Sequence, residues 1–176
     1  ITRIEDGRMN LQISPQLMDE VVEETLRHIS RKSKEHIITT TYSDEILLAD
    51  MDARLIMQVI INLVDNAIKY SPSGGRITLS AEILGGRAHL SVQDEGQGIA
   101  PESLPHIFDR FYRTDESRAR ETGGTGLGLA IVKWIVDRHG GWFEVSSWEN
   151  VGTRMTIVLP LAPAAAAHMQ EDSPSV

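Results

Sequence analysis

Three stretches of this chain carry residue types at spacings suited to ligand chemistry, two of them to phosphate. In Gly123-Gly124-Thr125-Gly126-Leu127-Gly128, glycines recur at positions 124, 126 and 128, directly before the apolar run Leu129-Ala130-Ile131-Val132. That run reads as the start of a helix. The loop therefore sits at a helix N-terminus, where unpaired N–H groups and the macrodipole attract phosphate. No strand is expected before these glycines, and no Gly-x-x-x-x-Gly-Lys-Ser/Thr pattern occurs, so Rossmann and P-loop readings both fail. The preceding segment carries Arg110, Arg113, Arg118 and Arg120 among Phe108, Phe111 and Tyr112. Arginines can simply solvate a loop, but next to the glycines they read as a clamp for polyphosphate.

The second stretch is a polar stripe. With about 100° between successive helical residues, Gln58, Asn62, Asp65, Asn66 and Lys69 share one arc, opposite Ile56, Ile60, Leu63, Val64 and Ala67. A solvated face would look the same, and on this segment alone the two readings balance. Asparagine is a poor helix former, however, and two of them four apart sacrifice propensity. Their carboxamides offer neutral oxygens to a hard cation whose negative partners are phosphates. Lys69, one turn on, can neutralise phosphate oxygens. The third stretch, Asp94-Glu95-Gly96-Gln97-Gly98, follows an alternating strand. By itself it is an ordinary acidic turn, but its carboxylate can accept a hydrogen bond from a ligand amine.

The elements that must position these groups follow from periodicity and punctuation. Asn10–Ser14 alternates like a short strand, and Pro15 introduces a helix from Leu17 to about Lys34. His36–Tyr42 and Ile46–Ala49 read as strands around the turn at Ser43-Asp44. A helix runs from the N-cap candidate Asp52 to Tyr70 and stops before Ser71-Pro72-Ser73-Gly74-Gly75. Arg76–Leu84 and Ala88–Asp94 form a hairpin about Gly85-Gly86. Leu104–Phe111 is locally helical. The last helix runs from about Leu127 to His139, ending at Gly140-Gly141, before strands near Trp142–Ser147 and Thr153–Leu159. This order predicts a two-layer α/β sandwich, with three main helices on one face of a mixed sheet. The irregular stretch between residues 95 and 128 is long enough to need a functional reason.

Composition narrows the classes. The chain has 176 residues, no cysteine, and 17 Lys+Arg against 25 Asp+Glu, a formal charge of -8. Cysteine-ligated metals and disulfides are excluded, and a broad nucleic-acid surface is disfavoured. No apolar run reaches the length of a membrane span, and a cytoplasmic domain is expected. The first residue is Ile1, so the N-terminus is expected to be a cut through a longer protein. Residues 1–10 are expected to end a helix or linker, 11–161 to form the domain, and 162–176 to be a disordered tail.

Together these pieces resemble sensor histidine kinases. Asn62-Leu63-Val64-Asp65-Asn66-Ala67-Ile68-Lys69-Tyr70-Ser71 is similar to their N box, and Asp94-Glu95-Gly96-Gln97-Gly98-Ile99 to the G1 box. Phe108-Asp109-Arg110-Phe111-Tyr112-Arg113 resembles the F box, and Gly124-Thr125-Gly126-Leu127-Gly128-Leu129 the G2 box. The resemblance covers about Leu11 to Leu161 and implies the Bergerat ATP-binding fold that gyrase, Hsp90, MutL and histidine kinases share, with an ATP lid between the F and G2 boxes. It implies ATP and Mg²⁺ as ligands, with Asn66 on the metal and Asn62 beside the phosphates. Lys69 matches the phosphate-contacting lysine, Tyr70 a ring near adenine, and Asp94 the acceptor of the adenine amino group. Gly96 and Gly98, with Ile99, form that wall. Gly124, Thr125, Gly126, Leu127 and Gly128 make the lid joint, Arg113 a further phosphate contact, and Thr153 a buttress of the base pocket. The N-terminal half is faintly similar to potassium-sensing kinases.

The implied reaction is transfer of the ATP γ-phosphoryl group to a histidine on a dimerisation hairpin, then to a response regulator. The six histidines (His28, His36, His89, His106, His139 and His168) lack the acceptor's sequence context. The acceptor is therefore expected outside this chain, whose parent is expected to be a homodimer, possessing a membrane anchor or not, and the fragment a monomer. Two alternatives stay open. One is an ATPase of the gyrase, Hsp90 and MutL type, which needs a glutamate base one turn before the metal-binding asparagine, where this chain has Asn62. The other is a nucleotide-binding module without catalysis. A serine kinase of the anti-sigma type is disfavoured because Ile1–Asn10 resembles the end of a kinase hairpin.

Overall fold

The computed structural model describes residues 10–29, 35–109 and 128–163. The longest helix, α2 (Ala53–Tyr70), buries Leu55, Ile56, Val59, Ile60, Leu63, Val64 and Ala67 and turns the polar stripe away from the core. Those spacings of three and four residues are the amphipathic pattern of a helix laid on a sheet. Asp52 caps it as expected, its carboxylate accepting the Arg54 N–H at 3.2 Å. The chain leaves α2 at Ser71, whose N–H still donates to Ala67 O, where Pro72 prevents continuation.

A five-stranded sheet carries the site. Its strands are β2 (Ile37–Tyr42), β4 (Arg76–Leu84), β5 (Arg87–Asp94), β6 (Trp142–Trp148) and β7 (Gly152–Pro160), in the spatial order β2-β4-β5-β7-β6. β2 and β4 run parallel and the other pairs antiparallel, so the sheet is mixed. Ile77, Leu79, Leu90, Ile157 and Leu159 are fully buried under the helices α1 (Met18–Ile29), α2 and α3 (Gly128–Arg138). Each such side chain contributes about 1.5–3 kcal/mol by leaving water. The other face is paved with hydroxyls: Ser91 Oγ lies 2.8 Å from Thr156 Oγ1, and Thr39 Oγ1 3.1 Å from Thr78 Oγ1. This is the expected two-layer sandwich.

One buried polar joint links two helix ends. Asp52 is 2% exposed and also accepts the Gln12 N–H at 3.0 Å. Burial alone would raise its pKa, yet the Gln12 N–H and the Arg54 guanidinium hold it below the usual carboxylate value. Its own N–H donates to His139 Nε2 at 3.0 Å. Nε2 is thereby the acceptor nitrogen, so Nδ1 carries the proton and donates to Ile135 O at 2.7 Å. His139 is thus a structural imidazole with both ring nitrogens engaged.

Four elements and one residue of the expected tail differ from expectation. The first strand, β1, is Ser14–Leu17 rather than Asn10–Ser14, and pairs antiparallel with β3 (Leu48–Met51), Pro15 opposite Asp50. Both strands of a two-stranded ribbon are edges, where proline is tolerated, so Pro15 does not open the helix. α1 starts at Met18, and its described part ends at Ile29. Leu104–Phe111 holds only a 3₁₀ turn, Leu104–His106, with Pro105 inside it. β3 begins two residues late because Ile46 is exposed and Leu47 takes the buried place. Ala162, placed in the tail from sequence, is fully buried and donates its N–H to Leu48 O at 3.0 Å.

Candidate functional site

β5 delivers Asp94 to the end of the sheet, opposite Ile77 of β4 on one side and Thr153 of β7 on the other. There the carboxylate is held by backbone rather than by side chains. Oδ1 accepts the Gly96 N–H at 2.8 Å and the Thr153 N–H at 3.3 Å. Burial pushes the Asp94 carboxyl above its ordinary pKa, and the two N–H groups recover only part of that shift. The result is a half-buried acceptor fixed in orientation. Gly96 makes the geometry possible, since a Cβ there would stand 2.3 Å from Tyr70 O and 2.9 Å from Asp94 Oδ1. The end of α2 is thus packed directly on the loop after β5. This brings Tyr70, Asp94, Gly96 and Thr153 together, four of the residues singled out from the sequence.

The α2 stripe is built differently. Gln58 Nε2 donates to Asn62 Oδ1 at 3.1 Å, and Asn62 Nδ2 reaches Gly128 O at 3.4 Å. Asn62 therefore ties the stripe to the first residue of α3, where the glycine-rich stretch ends. One turn later, Asn66 is half-buried and Lys69 exposed. Neither side chain has a hydrogen-bond or ion-pair partner among the described residues. No cluster of His, Cys, Asp or Glu suited to a metal occurs among the described residues. A cation here would depend on the Asn66 oxygen and on oxygens brought by a ligand. That donor set fits a hard divalent ion with phosphate.

Gly98 and Ile99 lie on the loop beyond Gly96, and both touch the β6–β7 hairpin: Ile99 N–H donates to Ser147 Oγ at 2.6 Å. Arg113, Gly124, Thr125, Gly126 and Leu127 lie outside the described residues, as do Arg110, Arg118 and Arg120. Phe108, read as part of the arginine-bearing segment, packs edge-on against Phe143 of β6 with ring centroids 4.7 Å apart. Ser147 was not anticipated. A serine in a strand has no spacing signal, and only the tertiary approach of the loop reveals it.

The arrangement joins a fixed carboxylate acceptor to a carboxamide, an ammonium and a helix N-terminus. It suits a ligand with an amine-bearing ring at one end and anionic oxygens at the other. The described residues place no carboxylate one turn before Asn66, where Asn62 stands, so no water-activating base is found there.

A family model described as histidine kinase-, DNA gyrase B-, and HSP90-like ATPase matches residues 51–163. Among curated proteins, the sensor protein KdpD of Clostridium acetobutylicum is 39% identical over 160 residues, covering 91% of this chain and 18% of that protein. This chain thus spans under a fifth of that relative's length. Among solved structures, the mycobacterial sensor histidine kinase MprB is similar with a TM-score of 0.74 and 33% identity, over 86% of this chain and 99% of that one. Full-length ShkA in complex with AMPPNP gives 0.79 and 27% identity, over 92% of this chain and 34% of that one. No helix among the described residues is long and apolar enough to cross a membrane.

Proposed function

The chain belongs to the histidine kinase-, DNA gyrase B- and HSP90-like ATPase family, and from that premise we propose that it is the ATP-binding catalytic domain of a sensor histidine kinase. Its role is to present the γ-phosphoryl group of ATP to a histidine on a hairpin domain outside this chain. The imidazole nitrogen attacks the γ-phosphorus, the bond to the bridging oxygen breaks, and ADP leaves. A response-regulator aspartate receives the group next. The domain works on the cytoplasmic side, and the parent acts as a dimer.

The observation that carries this reading is the fixed Asp94 carboxylate at one end, with Asn66 and Lys69, which have no partner among the described residues, at the other. Asp94 accepts the adenine amino group, with Tyr70, Gly96, Gly98, Ile99 and Thr153 forming the wall. Lys69 neutralises phosphate oxygens, aided by Asn62 and by the α3 N-terminus at Gly128. Thr125, Arg113 and the lid glycines Gly124 and Gly126, with Leu127, complete the phosphate side. Asn66 would hold Mg²⁺, which when bound neutralises charge on the transferring group. The relative ShkA, solved with AMPPNP, is consistent with such a ligand.

The test is titration with ADP and Mg²⁺. Native protein is expected to bind, and Asp94→Asn to lose about a hundredfold in affinity, the scale of a lost charge-assisted bond. Asn can still accept the Gly96 and Thr153 N–H groups, so the fold should survive. Equal binding by both proteins would overturn the assignment. A rapid ATPase rate in the native chain would instead favour the gyrase-like alternative, which Asn62 argues against.

A further inference from the structure

The loop that follows Asp94 is fastened to the β6–β7 hairpin at three points. Ile99 N–H donates to Ser147 Oγ at 2.6 Å. Asn150, at φ 60°, donates its N–H to Gln97 O at 2.8 Å. Gly98, at φ 76°, lies so close to the hairpin that a Cβ would stand 2.5 Å from Trp148 O. The loop therefore cannot shift without the hairpin, and among the described residues it is the Ser147 side chain that hydrogen-bonds the loop backbone to the hairpin.

A hydroxyl can accept and donate at the same time. Having accepted from Ile99, Ser147 keeps its own proton, and Thr153 Oγ1 lies 3.3 Å away. Thr153 is 5% exposed and gives its backbone N–H to Asp94 Oδ1 at 3.3 Å. Ser147 thus meets both the loop backbone and the residue that steadies the carboxylate. With Ser147 donating to Thr153, the Thr153 hydroxyl has its own proton left for an acceptor in the pocket.

We propose that Ser147 is a positioning residue for base selection: it sets the loop after Asp94 and turns the Thr153 hydroxyl into a donor beside the Asp94 acceptor. An acceptor next to a donor matches the amino group and adjacent ring nitrogen of adenine. It opposes hypoxanthine, which carries a carbonyl oxygen and a ring N–H at those places. This rests on the nucleotide reading above, in which Asp94 meets the base.

The test compares ADP with inosine diphosphate on the whole 176-residue chain, for native protein, Ser147→Ala, Ser147→Cys and Ser147→Thr, with a melting curve for each. Ser147→Ala is expected to lose about tenfold in ADP affinity, the scale of one unmade hydrogen bond, with inosine diphosphate unchanged. Ser147→Thr keeps the hydroxyl and is expected to restore the preference. Should Ser147→Ala not fold, Ser147→Cys, of similar volume and weaker hydrogen bonding, is held to the same ratio. Loss for both nucleotides alike, or an unchanged ratio, would overturn the assignment and leave Ser147 a structural residue. A native protein that binds neither nucleotide would overturn the nucleotide reading itself.

Discussion

The two ends of the candidate site are built on opposite plans. At Asp94, backbone N–H groups from Gly96 and Thr153 fix the carboxylate, and the loop beyond is bonded to Ser147. At the α2 stripe, Asn62 is engaged with Gly128, while Asn66 and Lys69 find no partner among the described residues. The first end is preformed, and on the proposed function the second would be completed by what binds. A preformed pocket gains affinity by avoiding the cost of ordering. Side chains awaiting charge respond to the charge that comes. Mutations at the first end should therefore register in stability, and those at the second in binding alone.

The largest effect expected of the contrast is at Gly96. Gly96→Ala places a Cβ 2.3 Å from Tyr70 O, and should cost about 2–3 kcal/mol in urea denaturation, as overpacking does. Gly128→Ala, whose Cβ meets no described atom within 4 Å, should change stability by less than about 1 kcal/mol. Equal costs would erase the distinction between the two ends. Next in size is Asn66→Ala, expected to weaken ADP binding about tenfold with Mg²⁺, or roughly 1.4 kcal/mol. The melting temperature and the affinity measured in EDTA should stay as in native protein. A matching loss in EDTA would place Asn66 on the nucleotide instead of the metal.

The smallest effect is on pH dependence. Burial raises the Asp94 pKa in the folded chain, so the fold prefers the protonated carboxyl. Its contribution is present in full below the ordinary value of 3.8 and is lost as pH rises through the folded value. Relative to native protein, Asp94→Asn should be more stable at pH 7 than at pH 3, read as the difference in urea midpoints. Asp52 acts with the opposite sign: its folded pKa is lowered, and its contribution disappears as pH falls. A pH-independent difference for Asp94→Asn would remove Asp94 from the acid response.

Much of this was legible from local pattern. α2, its Asp52 cap and its stop at Tyr70 follow from apolar spacings of three and four kept over 18 residues and bounded by turn residues. The hairpin of β4 and β5 follows from alternation around two glycines. The chemistry of Asn66, Lys69 and Asp94 was legible as side-chain type, and the family resemblance ordered those residues along the chain. What stayed hidden was set by tertiary approach. Pro15 reads as a helix opener until β3 is known to pair with it. Ser147 is indistinguishable from Ser146 until the loop carrying Ile99 lies against it. The crowding at Gly96 likewise depends on a carbonyl from Tyr70, 26 positions earlier in the sequence.

The bond between His139 and Asp52 has a mechanical consequence. It moors the far end of α3 to the start of α2, inside the core, through an imidazole with both nitrogens occupied. At its near end, among the described residues, Asn62 Nδ2 reaches Gly128 O at 3.4 Å, and Leu129 and Val132 pack on the core. Loss of the His139 imidazole would therefore free two helix ends at once, the last turn of α3 and the first of α2.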